Sequence, residues 1–281
     1  SCLIETGNDI FKMPVFLTDE GFRMLQDEIR HTELAGDRKR IGFAGRTEDE
    51  PVGRTHGFGI EFTGRIDDTG SSHGIQLQFR IVRGSHSETI TPQFYFKSAI
   101  EDNYNSLTVE YRDRSAIEFR AYNDGVAYRI TTDRKEGYTV KDELAQFNFG
   151  SDYKCWVAYA NLTGTKKDKY FTSFENTYSN IPLTEVSDSS LALSPAVVDV
   201  DGVKVLIAES DTENYPGMFL HNPDKTTSLK GHFAPVPNEI QVGGHNKLQG
   251  IVLSRHDYIA QCSGKSNFPW RVVIVAKLDS E

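Results

Sequence analysis

The sequence of 281 residues lacks several features that would assign it to a class at once. It contains no run of about 18 apolar residues, so no transmembrane helix is predicted. Its three cysteines, Cys2, Cys155 and Cys262, are odd in number and lie far apart, so neither a disulfide framework nor a zinc site is predicted. The formal net charge of −9 argues against a broad nucleic-acid-binding surface, which needs clustered lysine and arginine.

Recognisable catalytic motifs are also missing. The sequence has no HExxH motif, no nucleophile elbow and no phosphate-binding loop. Eight histidines occur, but none of them lies in a recognisable catalytic segment. No two carboxylates have a local spacing that would assign them as acid and base of a glycosidase. The sequence therefore assigns no catalytic residue, and it does not identify substrate-binding residues.

From about Gly74 onward the chain instead contains many short strands separated by turns. Apolar and polar residues alternate around Leu107-Val109-Tyr111, Ile117-Phe119-Ala121, Val126-Tyr128-Ile130 and within Trp270–Ala276, as is typical of half-buried strands. Asn123-Asp124-Gly125 and Asp201-Gly202 separate strand pairs and predict hairpins, because these residues tolerate positive φ. We therefore expect an all-β fold with one sandwich domain over residues 1–281.

The first 75 or so residues have a different pattern. A short helix is indicated by a capping threonine, apolar residues at helical spacing and a terminal glycine, at Thr18, Phe22, Leu25, Ile29 and Gly36. Residues 37–57 are charged and glycine-rich and predict a long loop. Residues 56–66 predict a return to strand. We therefore expect helix plus loop in this part of an otherwise all-β chain.

Six segments follow one another between about Glu101 and Asp279. They are DNYN at 102–105, EFRAYNDGVAYR at 118–129, Glu143 with Phe147, FENTY at 174–178, NYPGM at 214–218 after Glu209, and DYIA at 257–260 with FPWR at 268–271. In this order and spacing they resemble the N-terminal domain of glycoside hydrolase family 97. The resemblance covers about two-thirds of the chain, and residues 1–75 match it poorly.

The resemblance implies a super-sandwich similar in fold to galactose mutarotase, packed on a (β/α)₈ barrel of the same polypeptide. Such a barrel needs at least ~200 residues, more than follow the last predicted strand, so we expect the catalytic barrel to be absent from this chain. The family's activities are those of α-glucosidase and α-galactosidase. The expected ligand is therefore an oligosaccharide or α-glycoside, and the expected location is the bacterial periplasm or cell surface.

The resemblance gives one residue, Glu175, a specific role. Within the FENTY segment it matches a family glutamate that reaches across the domain interface and helps to bind calcium beside the active site. Calcium prefers several hard oxygen ligands, and carboxylates supply them. A surface glutamate at a strand end is the alternative interpretation. Because one carboxylate cannot hold calcium alone, we expect the ion to bind only when the barrel is present.

Three arginines within these segments have two possible roles. The guanidinium groups of Arg120, Arg129 and Arg271 offer forked donors that suit sugar hydroxyls, but an ion pair with a neighbouring carboxylate is the commoner role. The turn Tyr215-Pro216-Gly217 is expected at the rim that faces the barrel.

Three functions remain open on the sequence. The first is a non-catalytic sandwich domain of a family 97 enzyme, which supports the barrel and contributes to the substrate pocket; the isolated domain is then expected to be inactive. The second is a free-standing carbohydrate-binding module with exposed aromatics such as Trp156 or Tyr178. The third is a mutarotase-like epimerase with a histidine acid and a glutamate base. The first of these predicts an exposed apolar surface that docks the barrel.

Overall fold

The structure is a computed structural model that describes residues 80–160 and 168–278, and the backbone of residues 11–12, 14–16, 59–60, 63–64 and 79. Two short 3-10 helices, Leu183–Glu185 and His245–Lys247, lie in these ranges. The remaining regular structure is β, and its strands are β1 (Phe11–Lys12), β2 (Pro14–Phe16), β3 (Gly59–Ile60), β4 (Thr63–Gly64), β5 (Phe79–Ile90), β6 (Ile100–Tyr111), β7 (Ser115–Ala121), β8 (Gly125–Asp133), β9 (Tyr138–Val140), β10 (Gln146–Asn148), β11 (Lys154–Ala158), β12 (Tyr178–Pro182), β13 (Ala196–Val200), β14 (Val203–Ser210), β15 (Met218–His221), β16 (Ser228–Phe233), β17 (Pro237–Gly243), β18 (Gln249–Arg255), β19 (Ala260–Cys262), β20 (Lys265–Asn267) and β21 (Trp270–Ala276).

Two sheets dominate the architecture, and the prediction of an all-β sandwich is confirmed. The larger sheet has ten strands in the order β12-β11-β13-β14-β21-β8-β7-β6-β5, with β20 paired to β8. The smaller has five strands in the order β15-β16-β10-β2-β3, of which β10 and β2 run parallel. The pairs β1-β4, β9-β19 and β17-β18 form separate two-stranded sheets. The last strand, β21, lies between β14 and β8 and joins two antiparallel blocks of the larger sheet.

The core lies between the two sheets and follows the predicted alternation. In β7 every second residue is buried, from Ser115 through Ile117 and Phe119 to Ala121. The smaller sheet contributes fully buried Phe147, Leu220 and Leu229, and the larger contributes Val198 and Ile207, to the same apolar cluster. Because successive side chains of a strand point to opposite faces, the residues between these buried ones form the outer faces of the sandwich.

Both predicted hairpins form, but their turns differ. Asp201 and Gly202, between β13 and β14, have φ of 52° and 89°, the positive values expected of such a turn. The turn between β7 and β8 contains no positive φ, so the reason given for that hairpin is wrong. A Cβ on Gly125 would lie 2.7 Å from the carbonyl oxygen of Val273, so glycine is needed there for close strand packing.

The predictions for the N-terminal part have mixed outcomes. The predicted helix, from Thr18 to Gly36, lies outside the described residues. Strands β3 and β4 fall within residues 56–66, where strand was predicted. The single domain over residues 1–281 stays a prediction. Cys155 and Cys262, the two cysteines in the described part of the chain, form no disulfide.

Candidate functional site

Glu175 lies in an exposed segment that leads into β12, at one edge of the larger sheet. Its neighbours are exposed aromatics: 65% of Phe174 and 58% of Tyr178 are accessible. The side-chain amide of Asn176 donates to the carbonyl oxygen of Tyr159 at 3.0 Å, and its oxygen accepts from the backbone N–H of Thr177 at 2.9 Å. These bonds fix the C-terminal end of the segment against the sheet.

The carboxylate of Glu175 fits one ligand position of a calcium site but does not form a site alone. Within the described ranges, nothing donates a hydrogen bond to this carboxylate or forms an ion pair with it, so its oxygens are available to a cation. The same ranges hold no group of three His, Cys, Asp or Glu residues arranged to bind a metal ion. Calcium takes six to eight oxygens, so further ligands would come from outside the described residues.

The N-terminal end of the same segment is attached to the sandwich by an ion pair. The Asp168 carboxylate accepts two bonds from the Arg255 guanidinium, at 3.2 Å from Nε and 2.6 Å from Nη2. The hydroxyl oxygen of Tyr170 lies 2.7 Å from Nε2 of His232. Sequence reasoning missed these residues, because Asp168 and Arg255 are 87 positions apart and lie in no recognisable motif.

Arg120 and Arg129 form ion pairs on the outer face of the larger sheet. Both share Glu118, with Nε–O distances of 3.1 Å for Arg120 and 2.9 Å for Arg129. Both guanidinium groups lie over the ring of Trp270, 4.4 Å from its centroid. Since Trp270 is only 9% exposed, it offers no open face for a sugar ring. The structure therefore favours the ion-pair interpretation of these two arginines.

Arg271 is fully buried and lies in an ion-pair network. Its guanidinium donates to both oxygens of Glu143, at 2.8 and 2.7 Å, and to Glu209 at 2.7 Å. The hydroxyl of Tyr215 also donates to Glu143, at 2.9 Å. Burial acts to lower the pKa of Arg271, but the adjacent Glu143 carboxylate outweighs it and the pKa is raised above its usual value. With no exposure, Arg271 acts in the framework rather than in sugar binding.

The Tyr215-Pro216-Gly217 segment belongs to this framework too. Two hydrogen bonds hold the segment in place. The hydroxyl of Tyr215 donates to Glu143, and the backbone N–H of Met218, the next residue, donates to Glu209 at 2.8 Å. Next to it is a polar cleft of about 570 Å³ whose lining includes Asp211, Glu213 and Lys265. Whether this rim faces a barrel stays a prediction.

The two aromatics proposed for a carbohydrate-binding module differ in accessibility. Trp156, on β11, is half-buried and has the ammonium of Lys204 5.4 Å from its ring centroid. Tyr178 is exposed and lies close in sequence to Glu175. Only Tyr178 therefore has the open surface that stacking on a sugar requires.

Exposed apolar residues lie on the hairpin of β17 and β18, and also on the connection between β5 and β6, where Phe94 and Phe96 are 97% and 81% accessible. Ile240 and Val242 alternate on one face, 58% and 73% accessible, while Leu253 occupies the opposite face and Leu248 the tip. An isolated two-stranded hairpin is marginally stable in water. This hairpin thus carries the kind of apolar surface that was predicted for domain docking.

The described part of the chain also has no helix long and apolar enough to cross a membrane.

Known proteins resemble this chain over most of its length. The family model described as "Glycosyl-hydrolase 97 N-terminal" matches residues 37–281. The matched range includes residues 37–75, part of the stretch that was predicted to match the family poorly. A retaining alpha-galactosidase from Bacteroides thetaiotaomicron is 40% identical over 202 residues, which make up 71% of this chain and 30% of that protein.

Solved structures share the fold at low sequence identity. A glycoside hydrolase family 97 enzyme from Pseudoalteromonas sp. strain K8, in complex with acarbose, has a TM-score of 0.53 at 16% identity, over 70% of this chain and 27% of its own. A beta-arabinopyranosidase has a TM-score of 0.52 at 19% identity, over 77% of this chain and 33% of its own. The chain spans about a third or less of these relatives. Its sequence match over residues 37–281 means that the chain belongs to the glycosyl hydrolase 97 N-terminal family.

Proposed function

We propose that this chain is the non-catalytic sandwich domain of an α-glycoside hydrolase, and that it lends Glu175 to a calcium ion beside the substrate pocket. The observation that carries the proposal is the exposed Glu175 carboxylate, which has no ion-pair or hydrogen-bond partner among the described residues and lies close to Phe174 and Tyr178. Carboxylate oxygens suit calcium, and aromatic faces suit sugar rings.

The division of labour follows from the residues that are available. When bound, calcium supplies a fixed positive charge beside the sugar. This chain's part is to hold one carboxylate toward that ion and to close one side of the pocket. A (β/α)₈ barrel of the same polypeptide supplies the catalytic residues and the remaining calcium ligands. The substrate is an oligosaccharide with an α-glycosidic bond, a proposal supported by the retaining alpha-galactosidase to which the chain is similar.

The hairpin of β17 and β18 supports the barrel in this arrangement. Its exposed apolar residues, Ile240, Val242 and Leu253 among them, gain most from burial against another domain.

We further propose a periplasmic or cell-surface location, supported by the similarity to a protein of Bacteroides thetaiotaomicron. Fractionation of cells that express the intact gene tests this: recovery only in the cytoplasmic fraction contradicts it.

The calcium role is tested by substitution of the carboxylate in the intact polypeptide. We expect Glu175→Gln to raise the calcium Kd at least about tenfold in calorimetric titration, because a charged ligand is lost. The exposed Glu136, on the turn after β8, is a matched control, and Glu136→Gln should leave the Kd unchanged. Equal calcium affinity in both variants would remove the basis of the proposal.

A carbohydrate-binding module is the second candidate, because Phe174 and Tyr178 are both exposed. In that case this chain alone should bind maltose or melibiose, with heat that disappears in Tyr178→Ala. Titrations that are flat with both sugars rule the module out. If the same sugars bind to the intact polypeptide but not to this chain alone, they bind in the pocket that this chain shares with the barrel.

A further inference from the structure

We propose that Arg255, Asp168, Tyr170 and His232 are positioning residues that hold the Glu175 segment in its metal-binding orientation. The inference rests on the proposed calcium role of Glu175. None of the four residues contacts the ion; they act on the backbone that carries the carboxylate. The segment runs from Asp168 to Tyr178, where β12 begins.

The ion pair between Asp168 and Arg255 is the first anchor. Both side chains are largely removed from solvent, with 12% and 19% of their surface accessible. Two parallel N–H···O bonds fix the relative orientation of the two planar groups as well as their distance. Arg255 also donates from Nη1 to the carbonyl oxygen of Pro235, so the guanidinium is itself held in place. An ion pair this shielded orders the chain more strongly than an exposed pair does.

Tyr170 is the second anchor, and it extends the first. Its ring lies under the Arg255 guanidinium, 4.7 Å from centroid to carbon, and its hydroxyl meets Nε2 of His232 on β16. The ring also packs against Phe219 of β15, with 6.1 Å between centroids. The backbone N–H of Tyr170 donates to Asp168 at 3.1 Å, which closes a tight turn between the two anchors.

Glu175 is therefore enclosed by fixed points on both sides. Tyr170 fixes the chain before it, and the bond from Asn176 to the Tyr159 carbonyl fixes the chain after it. Ordering the residues of a free chain costs conformational entropy. A ligand carboxylate that is already ordered spares the ion that cost when it binds. Loss of the anchors should thus weaken calcium binding without removal of any ligand.

Arg255 also ends β18, one strand of the apolar hairpin. The hairpin and the Glu175 segment are consequently joined through this ion pair.

The test uses the intact polypeptide with calcium chloride as the titrant. We expect Arg255→Ala and Tyr170→Phe each to raise the calcium Kd by about three- to tenfold, with a smaller rise in Arg255→Lys, which retains the charge but not the fork. In calcium-free buffer, amide hydrogen exchange of residues 171–177 should become faster in Arg255→Ala. Asp199→Asn breaks the half-buried pair with Lys204 elsewhere on the sheet and should change neither readout.

The outcomes separate this inference from the calcium proposal. If Glu175→Gln weakens calcium binding but Arg255→Ala and Tyr170→Phe leave both the Kd and the exchange unchanged, the positioning role is refuted. If exchange rises in Arg255→Ala while Glu175→Gln has no effect on the Kd, the anchors order the segment but the calcium role fails. Tyr170→Phe removes one hydroxyl, so it keeps the test valid if Arg255→Ala does not fold.

Discussion

Arg271 illustrates how much a single side chain contributes to this sandwich. It stands on β21 directly opposite Glu209 of β14, and it reaches across the core to Glu143. A buried charge is tolerated only when it is paired and hydrogen-bonded, and here three carboxylate oxygens receive bonds from the guanidinium. The pairing thus ties the larger sheet to the connection between β9 and β10.

Removal of this guanidinium should strongly destabilise the fold. Arg271→Ala leaves two carboxylates in the core without a counter-charge, and we expect a loss of about 3–5 kcal/mol in the free energy of unfolding, measured by urea denaturation. Arg80→Ala, which breaks an exposed pair with Glu110, should cost no more than about 1 kcal/mol. Similar losses in the two variants would contradict the structural role assigned to Arg271.

His232 makes stability depend on pH. Burial, together with the smaller effects of nearby Lys169 and His221, lowers the pKa of its imidazole to about 4. The unfolded chain, with a pKa near 6.5, takes up a proton first as the pH falls. The contribution of neutral His232 is therefore complete above pH ~6.5 and is lost as the pH falls toward 4.

The expected loss between pH 7 and pH 4.5 is on the order of 1–2 kcal/mol, after allowance for solvent screening of a half-buried site. Urea denaturation at both pH values measures it. His232→Gln should show a smaller decrease over this interval, whereas the exposed His245→Gln should follow the unmodified protein. An identical pH dependence in all three proteins contradicts this account.

For individual residues, the sequence predicted fewer contacts than the structure contains. The segment matches singled out Glu175, Arg120, Arg129 and Arg271, and an ion pair was one of two roles open to each arginine. The contact between Asp168 and Arg255 was not foreseen, because the two residues are 87 positions apart along the chain. The shared partner Glu118 was missed although it lies two residues before Arg120 and directly opposite Arg129 in the predicted hairpin. A single sequence carries no signal for the order in which strands assemble.

Of the two predicted hairpins, the β7–β8 hairpin should tolerate substitution of its turn glycine less well than the β13–β14 hairpin. Gly125 faces the carbonyl oxygen of Val273 on β21, whereas Gly202 has open space around it and a φ of 89°. Gly125→Ala requires two strands to separate, and we expect a loss of about 2–3 kcal/mol, similar to the cost of overpacking. Gly202→Ala should cost about 1–2 kcal/mol through backbone strain alone.

Gly150→Ala provides the control, because it has neither a positive φ nor an atom within 4 Å of the added Cβ. Its free energy of unfolding should be unchanged. Chemical denaturation of the three variants under one set of conditions gives the order. If Gly125→Ala proves as stable as Gly150→Ala, the close packing of β8 on β21 is not as described.

Alternation of apolar and polar residues predicted β6, β7, β8 and β21 well, because each has one face in the core, and the Asp201-Gly202 turn predicted β13 and β14. The sequence did not predict that β17 and β18 form a separate two-stranded sheet. Its two faces are both solvent-accessible, so its alternation does not distinguish a core side. The sequence thus predicts where strands occur, but it does not predict which sheet each strand joins.

Across the whole molecule, the apolar hairpin should drive self-association when no second domain covers it. We expect this 281-residue chain to show a concentration-dependent mass in light scattering, because Ile240 and Val242 present apolar surface to solvent. The double substitution Ile240→Ser and Val242→Ser should shift it toward monomer. Gln241→Ser, on the opposite face, should not. A monomer at every concentration of the unmodified chain contradicts a docking role for the hairpin.

The position of β21 has a consequence for how this chain is made. Until residues 270–276 have left the ribosome, the block of β5 to β8 and the block of β11 to β14 each present an unpaired edge at β8 and β14. Open edges are templates for wrong pairing with other chains. Until β21 pairs with both of these edges, the two blocks remain separate half-sheets, and β21 then joins them into one sheet.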